Sequence, residues 1–224
     1  MQSWILPRFG TLEEAGDGRA PDGGNEQAKV LLAGYGRFGH PIVRLLRSAG
    51  CMPTVLEINS DHVDFLRQID LKFYYADATR LHLLEAAVTA DAQLFVVAID
   101  NEDQSMEIVE TCRKHFPNLE LMVRACSRDH AYRLEETGVC YFIEQLDSSL
   151  KCAVDVLEKL GHKRDHAEDA AARFRKHEFE LIKEMAPHRD DAERHKGVAK
   201  RRIRDLDSLL DNAPLPTGDK ERWI

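Results

Sequence analysis

The sequence predicts an α/β chain, an open, doubly wound parallel sheet of six strands followed by a charged helical C-terminal arm. Three observations carry this. Six short apolar runs rich in Val, Leu, Phe and Tyr recur through residues 27–162, each followed by a segment with helical spacing. Near-continuous rather than alternating hydrophobicity marks strands buried on both faces, and the intervening helices supply the crossovers of a parallel sheet. A glycine-rich turn of the form Gly-x-Gly-x-x-Gly stands between the first run and the first helical segment. Beyond Gly161 the composition shifts, and half of residues 163–212 are charged.

The elements follow in order. Residues 1–26 hold a short apolar scrap, Trp4, Ile5 and Leu6, and then become rich in Gly, Asp and Glu. Such a stretch buries too little apolar surface to offset its chain entropy and is expected to be a flexible linker, which implies that something precedes it. The strands are expected at 30–33, 54–56, 73–76, 94–99, 121–125 and 139–143. Phe38, Ile42, Val43, Leu45 and Leu46 fall on one helical face, with Gly50 placed to end that helix. Asn101 with Gln104 fits a capping box ahead of Met106 and Ile108. Over 163–212 the remaining apolar positions (Phe174, Phe179, Leu181, Ile182, Met185, then Ile203, Leu206, Leu209, Leu210) are too few for a separate core. They predict an amphipathic helical arm that docks on a neighbouring subunit or domain, with Pro187 breaking it in two. The tail over 213–224 is expected to be disordered.

Charge and composition exclude several function classes. With 31 Lys plus Arg against 39 Asp plus Glu, the net charge of the 224 residues is -8. That field repels a polyphosphate, so no nucleic-acid role is expected. The longest stretch free of Asp, Glu, Lys and Arg is 48–56, whereas a bilayer span takes about 20 predominantly apolar residues. Cys51, Cys112, Cys126, Cys140 and Cys152 include no close pair, which fits neither a disulfide framework nor a thiolate zinc site and predicts reduced thiols in a cytosolic protein. No secretory signal pattern opens the chain.

The chemistry concentrates in Val30-Leu31-Leu32-Ala33-Gly34-Tyr35-Gly36-Arg37-Phe38-Gly39. The glycine pattern alone is weak, but here it follows a strand, opens a helix, and is answered by an acid, Glu57, at the end of the next strand. This is the Rossmann-like context for a nucleotide. Gly34 turns tightly, Gly36 lets a pyrophosphate approach the backbone, and Gly39 packs helix on strand. The amides and positive end of the helix meet the phosphates, with Arg37 adding a charged contact. Glu57 is expected to accept hydrogen bonds from a ribose and to oppose a 2'-phosphate, which favours an NAD-type or adenosine ligand over an NADP-type one. Asp77, Ala78 and Thr79 follow the third strand and Asp100 the fourth, where open sheets place ligands; Thr79 and Asn101 read equally well as helix N-caps. His162 and His166 lack a third ligand, so no metal site is expected. The cluster Lys196, Lys200, Arg201, Arg202 and Arg204 is balanced by nearby acids and reads as a solvated face.

These residues, with Asp61-His62, Ala76-Asp77-Ala78-Thr79-Arg80, Ala98-Ile99-Asp100, His115-Phe116-Pro117 and Arg124-Ala125, resemble the cytosolic KTN or RCK (TrkA-N) domain that regulates potassium transport. The resemblance runs from about Val30 to Met185 and is strongest to the C-terminal domain of Kef-type glutathione-gated potassium efflux antiporters. It implies a homodimeric domain that binds NAD(H) or AMP at the cytosolic face of the inner membrane, with Tyr35 and Phe38 joining the glycines at the ligand and Arg124 in a regulatory role. It further implies control of a potassium:proton antiporter whose membrane part is absent from this chain, and an ancillary subunit resembling a quinone oxidoreductase. Glutathione control carries over poorly. Arg44 holds one position of the implied effector pocket, but Ile143 and Glu178 replace an arginine and an asparagine there. Two alternatives stand beside this reading: a small NAD-dependent oxidoreductase, which the absence of any Tyr-x-x-x-Lys pair disfavours, and a stand-alone TrkA-like subunit of a potassium uptake system.

Overall fold

The computed structural model of the chain describes residues 28–59, 73–88, 92–189, 191 and 197–198. Two compact units divide between Arg124 and Ala125. Five strands pair in the order β3-β2-β1-β4-β5: β1 (Val30–Ala33), β2 (Thr54–Glu57), β3 (Phe73–Tyr75), β4 (Leu94–Val97) and β5 (Glu120–Ala125). All four pairings are parallel, with Ala33 opposite both Leu56 and Val97. The helices are α1 (Gly39–Ser48), α2 (Leu81–Ala87) and α3 (Glu102–His115). The chain winds from β1 out to β3 and returns to β4 on the other flank of β1. This reversal opens a crevice at the carboxyl ends of β1 and β4, where open α/β sheets bind ligands.

Local chemistry explains these elements. Every residue of β1 and β2 is buried, which suits short β-branched and aliphatic runs covered on both faces. Val30, Leu32, Val43, Val55 and Val96 form one core cluster, with Ile42 and Leu46 of α1 packed against it; each such side chain stabilises by about 1.5–3 kcal/mol when fully buried. Gly50, at φ +78°, lies just beyond α1. Asn101 caps α3 by accepting from the Gln104 amide at 3.0 Å, with Glu102 and Asp103 in the first turn and Arg113, Lys114 and His115 in the last, an order that complements the helix dipole.

All six expected runs form strands; four parallel registers join β1 to β5, and the sixth run is β6 (Cys140–Ile143), in the second unit. One expectation changes. Thr79 does not cap α2: the cap position is Arg80, and the Thr79 hydroxyl donates to Asp77 instead. A short polar side chain two residues from an Asp closes a local turn more readily than it reaches a helix that starts later.

The second unit contains α4 (Arg128–Thr137), β6, α5 (Leu146–Lys159), α6 (Arg164–Met185) and a 3-10 turn over Ala186–His188. Ser127 caps α4 by accepting from the His130 amide at 3.1 Å, and Gly138 ends it at φ +69°. The charged arm is one helix as far as Met185, and Pro187 lies in the 3-10 turn that follows. Its apolar face, Ala167, Ala170, Leu181, Ile182 and Met185, is buried within this chain. Arg175 binds Asp147 at 2.7 Å and stacks over Phe179. Residues 1–26 and 213–224, and the apolar positions from Ile203 to Leu210, lie outside the described residues, as does the whole basic cluster of Lys196, Lys200, Arg201, Arg202 and Arg204. Among the described residues no helix is long and apolar enough to cross a membrane.

Candidate functional site

The glycine turn leaves β1 at Gly34, whose φ of +91° and close approach to the Ala98 carbonyl exclude a side chain. Its amide donates to the Leu56 carbonyl at 3.0 Å, tying the turn to β2. A Cβ on Gly39 would overlap the Gly34 carbonyl oxygen, so the first residue of α1 sits directly on the turn. Gly36 differs: a Cβ there would meet no protein atom within 4 Å. The internal packing demands glycine at 34 and 39, while at 36 the space lies outside the protein's own atoms. Tyr35 buries its ring in the β1 core cluster, and burial raises its phenol pKa against the opposing charges of Arg47 and Arg44.

Glu57 ends β2 buried rather than solvated. One carboxylate oxygen accepts from the Tyr35 amide at 2.6 Å, and the other accepts from the Ile58 and Asn59 amides at 2.8 and 2.7 Å. The acid expected at the ribose therefore also binds the glycine turn and its own following loop. The same residue lines the crevice.

Asp77 organises the third loop. Its Oδ1 accepts from the Thr79 amide at 3.0 Å and the Thr79 hydroxyl at 2.8 Å, and Arg80 pairs with its other oxygen at 3.6 Å. Together Ala33, Gly34, Leu56, Glu57, Ala76, Asp77, Ala78 and Thr79 line a cleft, with Ile58, Ile99, Gln104 and Ile108 completing its wall. Ile99, Gln104 and Ile108 were not foreseen in the sequence; the helical spacing that puts Gln104 and Ile108 four apart on α3 is the signal that places them on one face.

Asp100 and Arg124 flank the turn from the β4 and β5 side. Arg124 is 2 % exposed, donates to Asp100 at 2.5 Å and to the Ala98 carbonyl at 3.3 Å, and lies over the Phe38 ring. Arg37 approaches the same Asp100 oxygen at 4.0 Å. Arg44 is exposed on α1. In the second unit Ile143 ends β6, and Glu178, largely buried, is bonded to Arg128, a partner the sequence did not disclose. The structure thus gathers Gly34, Tyr35, Gly36, Arg37, Phe38, Gly39, Glu57, Asp77, Ala78, Thr79, Asp100 and Arg124 around one sheet edge of the first unit.

The parallel sheet, its reversal point and this glycine turn define an α/β domain of the nucleotide-binding type. Residues 30–144 match the TrkA-N domain and residues 148–221 the potassium efflux system KefB C-terminal domain. The chain belongs to the TrkA-N family, as a Kef-type C-terminal domain. The C-terminal domain of Shewanella denitrificans Kef, solved in AMP-bound form, is 40% identical with a TM-score of 0.64, over 70% of this chain and 97% of that one. The glutathione-regulated potassium-efflux system protein KefC of Klebsiella pneumoniae is 38% identical over 202 residues, 88% of this chain and 32% of that protein. The TrkA-N domain of the Escherichia coli inner membrane protein ybaL is 25% identical with a TM-score of 0.52, over 61% of this chain and 98% of that one. This chain spans about a third of the length of the KefC relatives it matches.

Proposed function

We propose that this chain is the regulatory domain of a Kef-type potassium:proton antiporter and binds AMP or NAD(H) in the cleft at the glycine turn. One observation carries the reading: a cleft bounded by Gly34 of the turn, Glu57 and the 77–79 loop, with open space at Gly36 of the same turn, in a chain 40% identical to an AMP-bound Kef domain. In this reading the amides of the turn hold phosphate, Arg37 adds charge, Glu57 meets the ribose, and Asp77, Ala78 and Thr79 border the adenosine. The domain over 27–162 acts without catalysis, as a homodimer at the cytosolic face of the membrane, and the arm from residue 163 helps to hold the dimer. Occupancy shifts the transporter only by the ligand's difference in affinity between the two dimer states. An ancillary subunit resembling a quinone oxidoreductase belongs to the same proposal. With Glu178 bonded to Arg128 and Ile143 at the other altered position, control by glutathione is weak or absent.

Calorimetry with AMP and NADH tests the site. The unaltered chain should bind, and Gly36→Val should remove binding while the circular-dichroism spectrum and unfolding midpoint persist. Unchanged affinity in Gly36→Val counts against the reading. In the intact transporter the same substitution should abolish the nucleotide dependence of potassium efflux.

A further inference from the structure

We infer that Glu57 is a positioning residue for the phosphate: by holding the Tyr35 amide it fixes the glycine turn before a nucleotide arrives, beyond any contact it makes with a ribose. The inference rests on the nucleotide reading above and deepens it. The carboxylate is itself held. One oxygen accepts from the Ile58 and Asn59 amides at 2.8 and 2.7 Å, which ties the side chain to the loop leaving β2. The other accepts from the Tyr35 amide at 2.6 Å, in a bond buried from solvent. The preceding amide, that of Gly34, donates to the Leu56 carbonyl at 3.0 Å. Two successive amides of the turn are thus pinned to the end of β2, one by a backbone carbonyl and one by a side chain.

These two amides belong to the peptide planes on either side of Gly34, whose φ of +91° lies where glycine alone moves freely. Fixing both planes fixes the direction in which the chain leaves β1. Farther along, Gly36 supplies no restraint of its own, since it has no side chain and a Cβ there would meet no atom within 4 Å. Looseness at Gly34 would therefore pass through Gly36 to the amides that open α1. Among the described residues no side chain caps α1, and its first turn carries no acid, so in the nucleotide reading those amides answer to the phosphate. A turn fixed beforehand loses little backbone freedom on binding, which is how a preorganised site gains affinity.

The test is calorimetry with adenosine and AMP on the folded chain, repeated on Glu57→Gln and Glu57→Asp, with thermal unfolding recorded for each. Asp keeps the charge and withdraws it by one methylene, so a result shared by the two variants is not an effect of charge. The ratio of the adenosine to the AMP dissociation constant reads the phosphate's share of binding. It should fall by about tenfold in both variants, the factor that ordering one residue's backbone represents, whatever adenosine itself loses through its ribose. A ratio unchanged in either folded variant assigns Glu57 to the ribose alone and overturns the inference. A ratio that rises in Glu57→Gln also overturns it, because removal of a negative charge is then the dominant effect. Hydrogen exchange on the unaltered chain needs no variant: the Tyr35 amide should be protected before AMP is added and change by about twofold or less on its addition. Protection that appears only with AMP overturns the inference and leaves the nucleotide site standing. An unaltered chain that binds neither adenosine nor AMP overturns the nucleotide reading and the inference together.

Discussion

The guanidinium of Arg124 lies 5.5 Å from the centre of the Phe38 ring, so the end of β5 touches the glycine turn at the end of β1. A buried cation on a central strand costs desolvation, and here that cost is offset by Asp100, the Ala98 carbonyl and an aromatic face.

Arg124→Met should therefore lower stability even though its length is conserved. The carboxylate it leaves behind is exposed and can be hydrated, so the loss is that of charge-assisted hydrogen bonds, about 2 kcal/mol. Urea unfolding monitored by fluorescence checks it; a midpoint unchanged from the unaltered chain would show that the pair contributes nothing.

Gly36 and Gly39 should separate binding from folding. Gly39→Ala drives a Cβ into the Gly34 carbonyl, and relief requires a backbone shift costing about 1–3 kcal/mol. Gly36→Ala meets no atom and no positive φ, so it should leave stability unchanged or raise it by about 0.4–1 kcal/mol through the unfolded chain. Paired thermal melts of the two variants distinguish them.

Glu57→Gln should destabilise despite its near-identical shape. Three amide donors converge on the two carboxylate oxygens, and a carboxamide offers one oxygen and a further donor. At least one backbone amide loses its acceptor, at about 1–3 kcal/mol for a buried group. Hydrogen exchange at Tyr35, Ile58 and Asn59 should accelerate, and unaltered exchange at all three would refute the account.

Alkaline stability should respond to Cys112. Burial in α3 pushes its thiol from the ordinary 9.0 up to about 12. The folded pKa is raised, so the unfolded state releases its proton first, and the stabilisation present below about pH 9 declines as pH climbs toward 12. Burial also raises the phenols of Tyr35, Tyr132 and Tyr141, so the thiol's share is read between about pH 9 and 10, before phenols ionise. Cys112→Ala should flatten the fall of the unfolding midpoint in that interval.

The strands were legible because burial on both faces leaves uninterrupted apolar runs, as at Val30, Leu31, Leu32 and Ala33. The glycine turn was legible because strand, glycines and acid occur at fixed separations along the chain. Asn101 announced its cap through Gln104 three residues on. What escaped depends on contacts distant in sequence. Nothing local to Glu57 reveals that the Tyr35 amide, 22 residues earlier, will bind it, and the attraction of Thr79 to Asp77 competes with capping by too little for the sequence to decide. Arg124 did leave a trace, since a cation inside the apolar run Leu121, Met122, Val123 is a misfit with a strand covered on both faces. The spacing of runs predicts strands but not how they group, and so it did not disclose that the sixth falls in the second unit.

The three-amide grip of Glu57 constrains how such a domain diversifies. A residue that knits two strand ends together while lining the cleft is hard to exchange, because any change of its side chain would arrive with a loosened scaffold. Lineages altering their ligand should change first around Asp77 and Thr79, whose bonds close only their own loop, and keep the acid at 57 until a substitute stitch has evolved.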